Sequence, residues 1–236
     1  AVSKIVYVQP FWQTCKGSKN VFTLTCVGQV ALYSRVGTTG EVGFCGGALV
    51  HPEWVLTAAH CCYHNGEQVD NVQAILGAHS LYDRYENGRR IVNVDEVRVH
   101  PDWDPESFAN DIALMRLANV MQLTVRLPYL SISNFNFAGL GATVSGWGIA
   151  APGVVFVSPT LREKVMTVMT DSLCSVRYFN QLPSNTVCGF HATAGTCKVG
   201  NLPISFLLGC TFVDNDHDEM QLSLSVLCSP VGTTDA

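Results

Sequence analysis

Phe44-Cys45-Gly46-Gly47-Ala48-Leu49-Val50, followed by Trp54-Val55-Leu56-Thr57-Ala58-Ala59-His60-Cys61, is the stretch on which the reading of this chain turns. Val42 to Val50 is short, apolar and bounded by Pro52, which predicts a β-strand. Ala58 to Cys62 predicts a single helical turn, so a histidine and two cysteines stand together on a tight segment.

Outward from there, the periodicity is mostly that of strands. Val30–Tyr33, Val72–Leu76, Ile91–Val99, Ala142–Trp147, Leu161–Met169 and Met220–Leu227 are short and rich in Val, Leu and Ile, and Gly, Asn, Asp or Pro separates them. In the last, Met220, Leu222, Leu224 and Val226 alternate with Gln221, Ser223 and Ser225, the two-residue repeat of a half-buried strand. Helical signals are few; Ser172–Phe179, with Asp171 as its cap, is the best. Many short strands with turn punctuation predict an all-β barrel or sandwich, and the length holds two barrels of about a hundred residues each. Leu127–Asn134 is the natural linker.

Composition narrows the function classes. The chain has 236 residues, 47% hydrophobic and 14% charged, with a formal net charge of -5. No long run of one sign is present, so nucleic acid and anionic lipid are not expected partners. No apolar run approaches the ~18 residues of a membrane helix. Ala1–Pro10 has one early Lys and no long apolar block, so it does not read as a secretory signal and the sequence reads as a mature product. Ten cysteines without a CxxC pair point to disulfides and an extracellular protein rather than to a zinc ribbon or a redox dithiol. The alternative is a cytosolic enzyme with buried free thiols.

Three segments in order carry specific information: CGGALV with WVLTAAHC, then Asn110-Asp111-Ile112-Ala113-Leu114, then Ser145-Gly146-Trp147-Gly148. Together they resemble the chymotrypsin/trypsin-type serine protease family, from about Gly28 to Cys197. The resemblance implies two six-stranded Greek-key β-barrels packed side by side. Residues 1–26 form an atypical N-terminal segment, 27–128 the first barrel, and 129–236 a second barrel with an atypical C-terminal region. It implies His60 as general base and Asp111 as the buried acid that orients it. It implies Cys45–Cys61 bracketing the histidine, Cys174–Cys188 closing the loop after the short helix, and Cys197–Cys228. Cys15 and Cys26 are left to close a local loop, and Cys62 and Cys210 to pair, to stay free or to link to another chain.

The family's nucleophile motif is not matched. Where it has C-x-G-D-S-G-G-P, this chain reads Cys197-Lys198-Val199-Gly200-Asn201-Leu202-Pro203, one residue short, which puts Gly200 or Asn201 at the position of the serine. Neither has an ionisable hydroxyl or thiol. Ser205 is the nearest substitute, but the strand expected there points it away from His60. Gly195 falls at the floor of the family's primary specificity pocket, so no acid awaits Lys or Arg. Ile5-Val6-Tyr7-Val8 lacks the glycines of the family's N-terminus, and its usual closing Trp-Ile helix is not found.

With these departures, the expectation is a secreted, catalytically inactive homologue that is not an enzyme. It would act by binding another protein or an unidentified small ligand, as regulator, decoy or cofactor in a proteolytic or immune setting. Two other readings stand beside it: a hydrolase with residual or unorthodox activity, and a storage or ligand-carrier protein on a protease fold. No cofactor and no metal are expected. His60-Cys61-Cys62-Tyr63-His64 has metal-ligand residue types, but Cys61 is expected in a disulfide. Asp214-Asn215-Asp216-His217-Asp218-Glu219 lacks the sixth-position glycine and twelfth-position acid of a calcium loop. Trp12, Trp54, Trp103 and Trp147 are expected in packing, with Trp103 the one placed to anchor a partner on an exposed loop.

Overall fold

The computed structural model describes residues 6–8, 28–35, 37, 40, 42–64, 66–121, 129–130, 138–148, 156–177, 188–190, 208–213 and 221–226. In chain order the strands are β1 (Val6–Val8), β2 (Gln29–Arg35), β3 (Val42–His51), β4 (Trp54–Thr57), β5 (Tyr63–His64), β6 (Glu67–Gln68), β7 (Asp70–Leu76), β8 (Arg90–Val99) and β9 (Ala113–Leu117). After them come β10 (Tyr129–Leu130), β11 (Gly141–Gly146), β12 (Arg162–Val168), β13 (Gly189–Phe190), β14 (Leu208–Val213) and β15 (Gln221–Val226). The helix α1 spans Asp171–Arg177, and a 3-10 turn spans Ala59–Cys62 between β4 and β5.

β2, β3, β4, β9, β8 and β7 close into a six-stranded antiparallel barrel in that order. Closure leaves no unpaired edge, and the inward residues fill the interior. Val30, Leu32, Leu49, Val55, Val72, Ala74, Leu76, Val92, Met115 and Leu117 make that core. The alternation in β9, where Ala113, Met115 and Leu117 are buried and Leu114 and Arg116 are less so, is the period-two pattern a barrel wall demands. β3 and β4 approach so closely that a Cβ on Gly47 would stand 2.7 Å from Val55 Cγ1, and only glycine fits there.

β5 and β6 pair with each other, and the remaining strands form a seven-stranded sheet in the order β10-β1-β14-β15-β11-β12-β13. β1 runs parallel to β14, and β15 parallel to β11. The all-β, trypsin-like architecture is present with one closed six-stranded barrel; where a second six-stranded barrel was expected, the described residues form this seven-stranded, partly parallel sheet. Its second half gains strands at Val6–Val8, too short to be read as a strand, and at Tyr129–Leu130, inside the stretch read as linker. Pairing with neighbours in the sheet makes these two short segments strands.

Barrel and sheet meet across a buried cluster of Ala31, Ile75, Ala78, Leu81, Trp147 and Leu161. The His79 carbonyl accepts from Trp147 Nε1 at 3.0 Å and from the Leu161 amide at 2.7 Å. Ser145 Oγ reaches Gln29 Oε1 at 3.0 Å, so the Ser-Gly-Trp-Gly segment serves the junction between the halves. No helix among the described residues is long and apolar enough to cross a membrane.

Candidate active site

The site is assembled from the end of β4 and the segment before β9, which are neighbours in the barrel. Thr57 Oγ1 donates to the Gly46 carbonyl at 2.9 Å and ties the end of β4 to β3. The chain then turns through Ala59–Cys62, with the Cys61 amide on the Ala58 carbonyl at 3.2 Å. A disulfide joins Cys61 to Cys45 of β3, with the Cα atoms 6.1 Å apart, and locks the turn that carries His60. Cys174 of α1 is likewise bonded to Cys188, with the Cα atoms 5.9 Å apart.

Asp111 arrives from a constrained loop. Asn110 has φ 56, in the left-handed region that Asn tolerates, its side chain donates to the Asp102 carbonyl at 2.8 Å, and its carbonyl accepts from the Ile112 amide at 2.8 Å. The Asp111 side chain is 1% exposed. Its Oδ1 accepts from the His60 backbone N–H at 2.7 Å, and its Oδ2 lies 2.7 Å from Nδ1 of the His60 ring. One buried carboxylate thus grips both the backbone and the ring of the same histidine. An ionised carboxylate only accepts, so Nδ1 carries the proton and Nε2 keeps its lone pair. The ring remains partly exposed, and a base oriented this way can take a proton from an attacking hydroxyl.

One neighbour was not legible from local sequence signals. Phe108 packs its ring against His60 at 6.2 Å and against Trp103 at 5.6 Å, both near edge-on. Its φ of 56 is rare for an aromatic residue and is imposed by the loop. Trp103 is thereby half-buried in an aromatic cluster beside the site. Cys62 is a free, buried thiol whose Sγ contacts the Ala58 carbonyl at 3.7 Å. Burial first, and then the charge of Asp111, push it up to about 12. It is an inert core residue and not a thiolate. Cys45, His60 and Cys61 bring their potential ligand atoms within 4.8 Å of one another, but the two sulfurs are bonded to each other and supply no thiolate for a metal.

Gly195, Cys197, Gly200, Asn201, Ser205 and Cys228 lie outside the described residues, as do Cys15, Cys26, Trp12 and 214–219. Cys210 falls on β14, where the backbone alone is described.

The family profile described as Trypsin matches residues 26–200, a span that includes His60 and Asp111. Trypsin V-A of Rattus norvegicus is 33% identical over 146 residues, which is 61% of this chain and 56% of the rat protein. Kallikrein-4 of Homo sapiens is 36% identical over 159 residues, covering 66% and 59%. Brachyurin of Leptuca pugilator is 31% identical over 160 residues, covering 67% and 68%. The chain thus spans little more than half the length of the rat trypsin. Among solved structures, the one described as "Structure of GrC" superposes with a TM-score of 0.61 at 25% identity, covering 80% of this chain and 75% of the other.

These relatives correct one expectation. The chain was expected not to be an enzyme, yet the proteins it resembles are trypsins, a brachyurin and a kallikrein. That expectation rested on Cys197–Pro203, a stretch outside the described residues and at the very end of the family match. Absence of a familiar motif there is weaker ground than an oriented, partly exposed base.

Proposed function

Because this chain belongs to the trypsin family of serine proteases, we propose that it is a secreted hydrolase of peptide or ester bonds in which His60 is the general base and Asp111 its orienting acid. The observation that carries the reading is the double grip of Asp111 on His60, at 2.7 Å to the backbone N–H and 2.7 Å to Nδ1. Such a grip sets the tautomer before substrate arrives, so no reorganisation is needed as the imidazole takes its proton. The growing positive charge on the ring is met by a carboxylate shielded from water, where the attraction is strongest. Secretion is supported by the disulfides Cys45–Cys61 and Cys174–Cys188, which persist in an oxidising compartment.

Two attackers suit this base. One is a serine hydroxyl from outside the described residues. The other is a water held on Nε2 of His60. In either case the proton passes to Nε2 as the oxygen adds to the carbonyl carbon, and returns from Nε2 to the leaving group.

The test is hydrolysis of a p-nitrophenyl acyl ester and a peptide ester by the purified chain and by His60→Ala. Turnover should fall at least a hundredfold in the variant, within the range expected for loss of a general base. Labelling by a fluorophosphonate, followed by peptide mapping, identifies a serine attacker; turnover without labelling identifies water. Equal rates for the two proteins, or no turnover by either, would sink the proposal.

A further inference from the structure

Phe108 holds a backbone conformation that a phenylalanine adopts only under constraint. Its φ of 56 lies in the left-handed region, where a Cβ crowds the following carbonyl. The constraint comes from the loop around it. Asp104 and Ala109 form an isolated antiparallel bridge, with the Asp104 amide on the Ala109 carbonyl at 3.1 Å. Ser107 Oγ donates to the Asp104 carboxylate and accepts from the Ala109 amide at 3.3 Å. The Asn110 side chain closes the loop on the Asp102 carbonyl at 2.8 Å, and the Trp103 amide donates to the His100 carbonyl at 3.1 Å. A strained residue persists only where its surroundings over-determine it, and such residues cluster at working sites.

Core burial does not account for the strain, since Phe108 is 36% exposed. Its ring stands instead against two aromatic neighbours, His60 at 6.2 Å and Trp103 at 5.6 Å, with interplanar angles of 67° and 71°. Near edge-to-face is the arrangement that aromatic rings favour. The contact with His60 supplies what the Asp111 carboxylate leaves open. A hydrogen bond between Nδ1 and Oδ2 at 2.7 Å fixes where one ring atom points, but the imidazole can still tilt about that axis and carry Nε2 with it. The His60 side chain is 17% exposed, so the solvent side does not block that movement. A second contact elsewhere on the ring does.

We infer that Phe108 is a positioning residue for His60: its ring, held in a left-handed backbone and backed by Trp103, fixes the tilt of the imidazole and so aims Nε2. Asp111 sets the tautomer and Phe108 sets the direction. An aromatic pair of this geometry favours one ring orientation over its alternatives by roughly threefold to tenfold. The ordering of His60 needs no substrate and stands apart from turnover; only its consequence for rate rests on the hydrolase reading.

The full chain and its Phe108→Gly, Phe108→Ala and Phe108→Tyr variants test it. Three-bond couplings across the His60 side chain read its rotamer populations by NMR, and thermal melts read stability. In Phe108→Gly and Phe108→Ala the oriented population of His60 should fall against its alternatives by the same factor, roughly threefold to tenfold. Phe108→Gly should nevertheless melt higher than Phe108→Ala, because only glycine relieves the left-handed strain. Phe108→Tyr, which keeps the ring, should retain the wild-type ordering. With a p-nitrophenyl acyl ester, kcat should fall with the ordering while KM holds, and Phe108→Tyr should retain both. Absence of turnover in every protein would refute the hydrolase reading and leave the couplings to decide this one. An unchanged His60 in both ring-free variants, disorder that follows the melting temperature instead of the ring, disorder that persists in Phe108→Tyr, or a kcat that holds while the ordering falls would each overturn the inference.

Discussion

Asp111→Asn probes the site at its most constrained point and keeps the side-chain volume nearly unchanged. Asn retains one oxygen, which still accepts from the His60 backbone N–H now 2.7 Å from Oδ1. Its NH₂ takes the place of Oδ2 and faces Nδ1 as a donor, so Nδ1 must become the acceptor and the ring proton moves to Nε2. Reversing one hydrogen bond to a charged group costs about 2 kcal/mol, which puts the Nδ1–H tautomer at a few per cent of the population. Stability should fall by about 1 to 2 kcal/mol, since the group is 1% exposed and water cannot replace the lost acceptor. Asp111→Ala should fall further, by about 3 kcal/mol, because the His60 N–H loses its partner altogether. Long-range nitrogen–proton NMR correlations of the His60 ring read the tautomer directly, and urea denaturation reads the stability. If the ring keeps its proton on Nδ1 in the Asn variant, or if Asn and Ala are equally stable, the two-point grip is not what orients His60.

Further predictions test the frame around the site. Replacing both Cys45 and Cys61 with Ser removes a bond across 16 residues and should cost about 3 kcal/mol in urea unfolding; no loss would mean that the barrel alone holds the turn. Cys62 sets an alkaline limit: an unfolded thiol ionises near its ordinary 9.0, whereas the folded one keeps its proton to about 12. Its contribution is therefore whole below about pH 9 and lost as pH rises toward 12, at up to ~1.4 kcal/mol per pH unit. Cys62→Ala should flatten that limb of the urea stability profile, and an unchanged slope would count against it. Gly77→Ala should cost more than Gly88→Ala in thermal melts. Both have positive φ, worth about 1 kcal/mol, but only at Gly77 would the Cβ meet backbone, 2.6 Å from the Gly88 carbonyl oxygen. Equal losses would contradict the packing described for that turn.

Sequence determined the first barrel and, through its resemblance to a known family, the two residues that meet between the end of β4 and the segment before β9. Its strands are long enough, and apolar enough on their inward face, to announce themselves; Val42–Val50 and Val72–Leu76 both fall within observed strands. His60 and Asp111 stood inside ordered motifs, so their meeting was legible across 51 positions. Tertiary structure decided what depends on partners rather than on local pattern. Val6–Val8 and Tyr129–Leu130 are strands because a sheet edge offers each a neighbour, and two or three residues carry no period to read. Phe108 came to the site through a left-handed backbone that no propensity predicts for phenylalanine. Cys62, open in sequence to pairing or freedom, is a free thiol because the turn points it into the barrel core while Cys61 turns toward Cys45. The left-handed backbone of Asn71 belongs to a register slip between β2 and β7, and a slip exists only once two strands are paired.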